Sequence, residues 1–365
     1  MALLAAIPAC GFQSPLSDGG GGGDDGKPAA STCFGSFVKV CFDSLADIPK
    51  TPPMLPSDDT IEIDTGASPI CDQHNDRAAE YCVVAGEGFT LPAGKSIRGY
   101  GTKPLVLLST TTFDLQGTVD VSSNKNGGAI NTGANANPPV CTSGMAPEMA
   151  GGGYGGSFGG KGGDGERLPG AVPTTGNAAL ALTSPPMMLL RGGCPGGTGD
   201  ASGGVGGSGG GAVALIAATS IQIDGTVNAS GTGGKGGPAT KSGGGGGGSG
   251  GMIVLDAPSI TATGPLFANG GGGGQGGATG GGHEGADGGE SLAPLTAAPA
   301  GYNNTKDGGT GGTGSAGTSR LTGGDAGGGG KNAVNNGGGG GGGGGAGFIR
   351  AHGVTTNISP PSFVP

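Results

Sequence analysis

The sequence has no tryptophan, and aromatic residues make up only 4% of its 365 residues. Side chains that anchor a large core or stack on sugar rings are therefore scarce. Charged residues account for 12%, against about 25% in a typical globular domain, so the charge density common in disordered regions is also missing. The net charge of −9 excludes a basic surface of the kind that binds nucleic acid or anionic lipid.

Glycine is abundant instead. The 95 glycine and 26 proline residues together form a third of the chain. That fraction excludes an ordinary globular enzyme along the whole length, because so many residues contribute little or no side chain to a packed core. No stretch approaches the roughly 18 apolar residues that a transmembrane helix requires. The composition therefore indicates architecture and location more than it indicates activity.

A short apolar run at the start of the sequence ends in small residues directly before Cys10. Ile7-Pro8-Ala9-Cys10 resembles a bacterial lipobox, in which the cysteine is lipidated after the preceding segment is cleaved. The glycine-rich stretch 17–31 that follows resembles a lipoprotein tether. We therefore expect a signal-like segment at 1–9, a glycine- and proline-rich tether with a local disulfide at 10–60, and lipidation at Cys10. Secretion without a lipid is the alternative.

The remaining six cysteines form an even set, which is typical of disulfides in an exported chain. Spacing favours pairs between neighbours, and the predicted bonds are Cys33–Cys41, Cys71–Cys82 and Cys141–Cys194. The alternative is six free, buried thiols in a cytosolic protein. The sequence has no CxxC motif, and none of these cysteines lies at metal-ligand spacing from a histidine, so a zinc site is disfavoured.

Three apolar segments, beginning at Leu105, Ala214 and Ile253, align without gaps around a single glycine. On both sides of that glycine, apolar residues recur with the period of two that is typical of β-strands. The aligned glycines are Gly117, Gly225 and Gly264. The apolar columns are Phe113/Ile221/Ile260, Leu115/Ile223/Ala262, Val119/Val227/Leu266, Val121/Ala229/Ala268 and Leu108/Ile216/Leu255.

A unit of about 20 residues with short strands cannot bury its apolar face alone, whereas stacked copies bury it continuously. The repeat therefore predicts an all-β protein: a small parallel β-helix, or solenoid, over residues 61–365. An antiparallel β-sandwich or jelly roll built from the same strands is the alternative. The glycine-rich insertions 124–210, 231–250 and 269–346 leave from equivalent positions of the repeat, so we expect long loops that project from one corner. Because glycine loses the most backbone entropy on ordering, flexible loops are expected, with packed glycine layers as the alternative.

Several short motifs together resemble a group of glycine-rich, predicted exported proteins from myxobacteria and related soil bacteria. They lie within Tyr81–Gly86, Lys103–Leu108, Arg191–Gly197, Ser249–Pro258, Phe267–Gly270 and Gly345–Arg350. The resemblance covers roughly Ile61 to Val354. It implies a cell-envelope or secreted setting and carries no established activity.

The outward-facing columns of the repeat test whether the chain is a polysaccharide lyase or hydrolase, because such enzymes place carboxylates on adjacent strands of one face. The columns are Asp114/Gln222/Thr261, Gln116/Asp224/Thr263, Thr118/Thr226/Pro265 and Asp120/Asn228/Phe267. None carries two carboxylates, and no lysine or arginine joins them, so no catalytic residue is predicted. No cofactor or metal is expected either. Weak calcium binding by acidic loops that contain Asp24, Asp25, Asp58, Asp59 and Asp287 is the alternative.

The sequence therefore predicts a non-enzymatic structural or adhesive surface protein of the bacterial cell envelope, located at the outer membrane or cell surface. It is expected to be lipid-anchored and disulfide-stapled. Secretion is the alternative location, and a carbohydrate-active enzyme or a calcium-dependent matrix binder is the alternative function. Extracellular polysaccharide, matrix components or further copies of the chain are the candidate partners. Nucleic acid is not expected, and a membrane is expected only through the lipid.

Overall fold

The computed structural model describes residues 31–50, 59–72, 74–126, 129–166, 189–279, 282–303, 308–316 and 337–356. All of them belong to one unit, Ser31–Pro365. The signal-like segment and the lipidation predicted at Cys10 lie outside the described residues.

Apart from one turn of 3-10 helix at Leu45–Asp47, the regular elements in the described ranges are all β-strands. In chain order they are β1 (Thr32–Phe34), β2 (Val40–Phe42), β3 (Thr60–Asp64), β4 (Cys82–Gly86), β5 (Phe89–Leu91), β6 (Ser96–Tyr100), β7 (Leu105–Ser109), β8 (Thr112–Leu115), β9 (Thr118–Asp120), β10 (Asn124–Asn126), β11 (Ala129–Asn131), β12 (Ala212–Ala217), β13 (Ser220–Ile223), β14 (Thr226–Asn228), β15 (Met252–Ala262), β16 (Leu266–Phe267) and β17 (Phe348–Thr356). The predicted all-β class is confirmed.

Two parallel sheets form the centre of the fold. The larger has eight strands in the order β4-β7-β12-β15-β13-β8-β5, with β17 also paired to β15. The smaller has five strands in the order β16-β14-β9-β6-β3. Strand β15 is 11 residues long and pairs with β12 through its first half and with β13 through its second half. It therefore joins two rows of strands into one continuous sheet that curls until it is nearly closed, like a barrel.

The fold class predicted within all-β is wrong in two respects. A β-helix solenoid requires a corner between the two rows of strands in every repeat, whereas β15 continues without a break and unites both rows in one barrel-like sheet. The antiparallel sandwich is wrong because every strand pair in the two large sheets is parallel. Among the described strands, antiparallel pairs occur only in the β1–β2 and β10–β11 hairpins.

The alignment around the repeated glycine nevertheless places the correct residues beside one another. Ile221 lies between Phe113 and Ile260, and each of the three is at most 1% exposed. One column is wrong: Ile216 pairs with Asp256 and not with Leu255. The third copy has one residue fewer between Asp256 and Ile260 than the second copy has between Ile216 and Ile221, because β15 continues there without a turn.

Apolar residues are buried on both faces of the central strands. In β7, Leu105 and Leu107 pack into the interior between the two sheets, and Val106 and Leu108 pack into a second cluster on the opposite face. The second cluster is covered by the β1–β2 hairpin and by Phe158. Burial on both faces explains why the strand is an unbroken apolar run and does not alternate.

The described parts of the glycine tracts form a packed layer beside the sheets. Gly243–Gly248 are all buried. They pack against other extended segments of the chain, and neither they nor these segments form β-strands. The expectation of loops that project from one corner is therefore wrong for the described residues. The described parts of these tracts are held through their backbones, and segment 243–251 is the clearest case.

Successive residues of segment 243–251 donate hydrogen bonds to three different neighbouring segments in turn. The acceptors follow a period of three: Asp200, Gly197 and Cys194 for residues 243, 246 and 249; Gly339, Gly342 and Gly345 for residues 244, 247 and 250; Lys235, Thr232 and Ala229 for residues 245, 248 and 251. A period of three with an extended backbone is the geometry of a polyproline II helix. In an isolated helix of this kind the backbone bonds only to water, whereas here the N–H groups of segment 243–251 bond to neighbouring segments of the same layer.

Close approach, and not an unusual backbone angle, is what requires glycine here. A Cβ atom at Gly247 would collide with the carbonyl oxygen of Gly271 in the adjacent segment. Gly247 is not among the described glycines with positive φ, which are Gly35, Gly94, Gly101, Gly282 and Gly353. Backbones can therefore lie side by side only because neither carries a side chain.

Three disulfides staple the fold, and they join the cysteines that spacing favoured: Cys33–Cys41, Cys71–Cys82 and Cys141–Cys194. The first closes the β1–β2 hairpin. The second joins β4 to the loop before it. The third fixes residue 141 to the start of a glycine segment. Three disulfides indicate an oxidising extracellular or envelope environment.

A polar cleft as the candidate functional site

The outer face of the five-stranded sheet is polar where β3, β6 and β9 lie side by side. Alternation along each strand sends apolar side chains inward, among them Ile63, Ile97 and Val119, which are at most 2% exposed. The residues between them face outward. The register places Glu62 opposite Arg98 and Arg98 opposite Asp120, so three charged residues of alternating sign form one row across the sheet.

These strands and the start of β10 enclose a cleft of about 380 Å³. Its lining consists of Thr60, Glu62, Ser96, Ile97, Arg98, Thr118, Asp120 and Asn124. Seven of these eight residues have polar side chains, and none is aromatic. The size falls within the range of about 300–1,000 Å³ that is typical of small-molecule sites.

The cation of the cleft is neutralised by the protein itself. The Nη1 atom of Arg98 lies 2.9 Å from Oδ2 of Asp120, and the Arg98 side chain is 11% exposed. The other carboxylate oxygen of Asp120 accepts a hydrogen bond from the backbone N–H of Ser122 at 2.9 Å. The Nη2 atom of Arg98 is buried and has no hydrogen-bond partner. Nη1 is thus paired with Asp120, whereas the N–H groups of Nη2 have no acceptor.

Two acceptors in the cleft are also unused. Glu62 is exposed, and within the described part of the chain its carboxylate makes no hydrogen bond or ion pair. The Oδ1 atom of Asn124 is buried without a partner. Because buried polar atoms in folded proteins nearly always have partners, the Asn124 oxygen and the Arg98 nitrogen mark the cleft as a place where hydrogen bonding is incomplete.

A row of hydroxyl groups runs beside the charged row. Thr60 and Ser96 share a hydrogen bond of 2.7 Å between their side-chain oxygens. Thr118 continues the row on β9, where the register places it beside Ser96. Its hydroxyl makes no hydrogen bond to any described residue. A hydroxyl both donates and accepts, so this row adds adaptable groups to the fixed charges.

A second charged group adjoins the cleft where β10 begins. The backbone N–H of Lys125 donates to Oε1 of Glu290 at 2.5 Å, and Nζ of Lys125 lies 3.4 Å from Oδ2 of Asp287. Burial raises the pKa of Glu290 above its usual value, against the opposing effect of Lys125. Burial also lowers the pKa of Lys125, against the opposing effect of Asp287. The Lys125 ammonium is therefore paired with Asp287 and is not a free cation beside the cleft.

The cysteines predicted as site residues lie elsewhere, since none of the six lines the cleft. Of the acidic residues considered for calcium, Asp59 pairs with Lys95 at 2.9 Å and Asp287 pairs with Lys125. Asp24, Asp25 and Asp58 lie outside the described residues. The described ranges contain no group of three or more His, Cys, Asp or Glu side chains that could hold a metal ion.

Sequence reasoning missed Glu62 and Arg98. The outward columns were built from the three aligned copies, and the structure adds β3 and β6 to the column that contains Asp120. The column therefore does carry two carboxylates with an arginine between them, contrary to expectation. The sequence pattern that could have revealed them is the alternation in Thr60–Asp64 and Ser96–Tyr100, where a charged residue directly follows an inward-facing isoleucine.

No protein-family model, curated protein or solved structure matches this chain. Within the described ranges, no helix is long and apolar enough to cross a membrane.

Proposed function

We propose that this chain is a non-enzymatic structural and adhesive protein of the bacterial cell envelope, anchored through lipid at Cys10 and exposed at the outer membrane or cell surface. The observation that carries the proposal is the hydrogen-bonded glycine layer. In segment 243–251 each backbone N–H bonds to a neighbouring segment, so the layer consists of backbone and presents few side chains for chemistry.

Such a layer suits a protein that must persist outside the cell. Proteases require an extended segment that can leave the fold, and every departure of a central glycine segment breaks hydrogen bonds to three neighbours. The three disulfides further restrict opening and require an oxidising compartment. The resemblance to exported glycine-rich proteins of soil bacteria, marked by motifs such as Ser249–Pro258, supports the same setting.

Cell fractionation and lipid labelling test the proposal. Cells that express the tagged chain are fed an alkyne fatty acid, and the wild type is compared with Cys10→Ser. We expect labelled protein in the membrane fraction, accessible to antibody on intact cells, and loss of the label in the variant. Ser14→Ala serves as a matched control and should keep the label.

The thiol state supplies an independent readout. Alkylation of the denatured, unreduced chain should leave the six cysteines of the disulfides unmodified. A chain that is recovered from the cytosol with freely alkylated thiols would contradict the proposal, whatever its stability.

A further inference from the structure

We infer that the cleft formed by β3, β6 and β9 is a binding site for a neutral, polyhydroxylated ligand, namely a sugar unit of a polysaccharide. The inference rests on the proposed function, because an envelope or secreted protein meets such polymers outside the cell. It specifies what the adhesive surface would hold and where.

The charges of the cleft exclude anionic ligands. Arg98 is committed to Asp120 at 2.9 Å, so its charge is compensated before any ligand arrives. The unpaired carboxylate of Glu62 lies on the neighbouring strand and repels a phosphate, sulfate or uronate. Of the lysines beside the cleft, Lys95 pairs with Asp59 at 2.9 Å and Lys125 pairs with Asp287 at 3.4 Å. A ligand without negative charge is therefore favoured.

The unused hydrogen-bonding groups call for both donors and acceptors on the ligand. Glu62 and the Oδ1 atom of Asn124 require donors, whereas the Nη2 atom of Arg98 requires an acceptor. Thr118 serves either purpose. A hydroxyl group satisfies both demands, and adjacent hydroxyls of a sugar ring present them at the spacing of neighbouring side chains. An apolar ligand would leave the same groups unpaired.

The absence of an aromatic side chain from the lining bears on affinity. Sugar sites without a stacking platform depend on hydrogen bonds, whose net contribution is reduced by competition with water. We therefore expect weak binding of a single sugar unit. Firm attachment to a polymer would come from many copies of this protein on one surface, each with its own cleft.

Saturation-transfer NMR on the full chain tests the inference. Cellohexaose, maltohexaose and xylohexaose are the neutral probes, polygalacturonate is the anionic probe, and hexameric chitosan is the cationic one. We expect signal from at least one neutral probe and a weaker signal from polygalacturonate, which the Glu62 carboxylate repels. Preferential binding of polygalacturonate or chitosan, or no binding of any neutral probe, would overturn the inference.

Variants locate the binding. Glu62→Gln removes a charged acceptor and should raise the dissociation constant of the bound probe about tenfold. Thr118→Val should raise it about threefold. The matched controls, Glu87→Gln and Thr112→Val, change exposed residues outside the cleft and should bind as the wild type does. Equal loss in variants and controls would place the binding elsewhere and overturn the inference.

The outcome is separable from that of the proposed function. Absence of sugar binding by a chain that is lipidated and surface-exposed would remove this inference alone. Sugar binding by a chain found in the cytosol would retain the cleft and remove the proposed function.

Discussion

The Oδ2 atom of Asp256 accepts a hydrogen bond from the backbone N–H of Phe37 at 2.9 Å, across 219 residues of sequence. The same oxygen accepts a second one from the N–H of Ser36 at 2.5 Å. Asp256 is only 1% exposed, so both bonds form away from water. They attach the β1–β2 hairpin to strand β15 at the position where the repeat would place an apolar residue.

Replacing this carboxylate should loosen the hairpin. In Asp256→Ala the N–H groups of Ser36 and Phe37 lose their acceptor, and we expect the free energy of unfolding to fall by about 2–3 kcal/mol. Urea denaturation measures the loss, and hydrogen exchange should show faster exchange in residues 36–42. Asp43→Ala removes an exposed carboxylate nearby and should change neither. Unaltered exchange in the hairpin of Asp256→Ala would show that the two bonds do not hold it.

Periodicity was sufficient to predict which residues stack beside one another in most of the columns, although the solenoid that it indicated is wrong. Gly117, Gly225 and Gly264 recur with apolar residues two and four positions away, and this local pattern survives folding because parallel strands stack equivalent positions. The disulfides followed for a similar reason: short separations make neighbours such as Cys33 and Cys41 meet. The cleft could not be predicted from the repeat, because Glu62 and Arg98 belong to β3 and β6, which lie outside the three aligned segments.

The glycine layer could not be predicted for a different reason. Composition reveals the entropy that glycine loses, but the compensation comes from partners that are distant in sequence. Gly247, for example, donates to Gly342 and accepts from Gly156. The period of three lies in the hydrogen bonds and leaves no mark on a tract in which nearly every residue is the same.

A single methyl group should disrupt this layer. At Gly247 a Cβ would collide with backbone of Gly271, which has no side-chain freedom to yield, so we expect Gly247→Ala to cost about 3 kcal/mol or more. Thermal denaturation measures the effect. At Gly88 the nearest atom to a Cβ is the Thr111 hydroxyl at 3.6 Å, in ordinary contact, so Gly88→Ala should leave the midpoint nearly unchanged. Similar midpoints for the two variants would disprove close packing at Gly247.

The half-buried carboxylate of Glu290 should give the protein a measurable pH dependence. Its pKa is raised in the fold, mainly by burial and slightly by Asp120, while Lys125 and Arg98 oppose the rise. The unfolded chain therefore releases this proton at lower pH than the folded one does. The contribution of Glu290 to the free energy of unfolding must fall as pH rises from its ordinary value of 4.5 through its folded pKa.

We expect Glu290→Gln to remove that decline, because the amide keeps an acceptor for the Lys125 N–H and carries no charge. Denaturation between about pH 5 and pH 8 should show that the variant loses less stability than the wild type does over the same range. Glu284→Gln, at an exposed position, should follow the wild type. Parallel curves for the wild type and Glu290→Gln would refute the assignment.

The guanidinium of Arg191 lies against the third disulfide. Its Nη1 atom is 3.6 Å from the sulfur of Cys194 and 3.7 Å from the sulfur of Cys141. Its Cζ atom lies 4.1 Å from the centre of the Phe158 ring. Burial lowers the pKa of Arg191 to about 10. Reduction by a dithiol breaks the S–S bond into two thiols, while the reductant forms a disulfide. A thiolate produced there would pair with the arginine, so the reduced form gains stability from this charge.

Arg191→Met should therefore make the Cys141–Cys194 bond harder to reduce. Methionine keeps an apolar contact with the Phe158 ring, removes the buried charge from the oxidised form and removes the counter-ion from the reduced form. Both effects act in the same direction, and a combined change of about 1.4 kcal/mol lowers the reduction potential by about 30 mV. Equilibration with dithiothreitol, alkylation and mass spectrometry of the cysteine peptides measure the shift. Cys71–Cys82 in the same samples is the internal reference and should titrate as in the wild type. An unchanged or raised potential for Cys141–Cys194 would mean that the arginine does not favour its reduction.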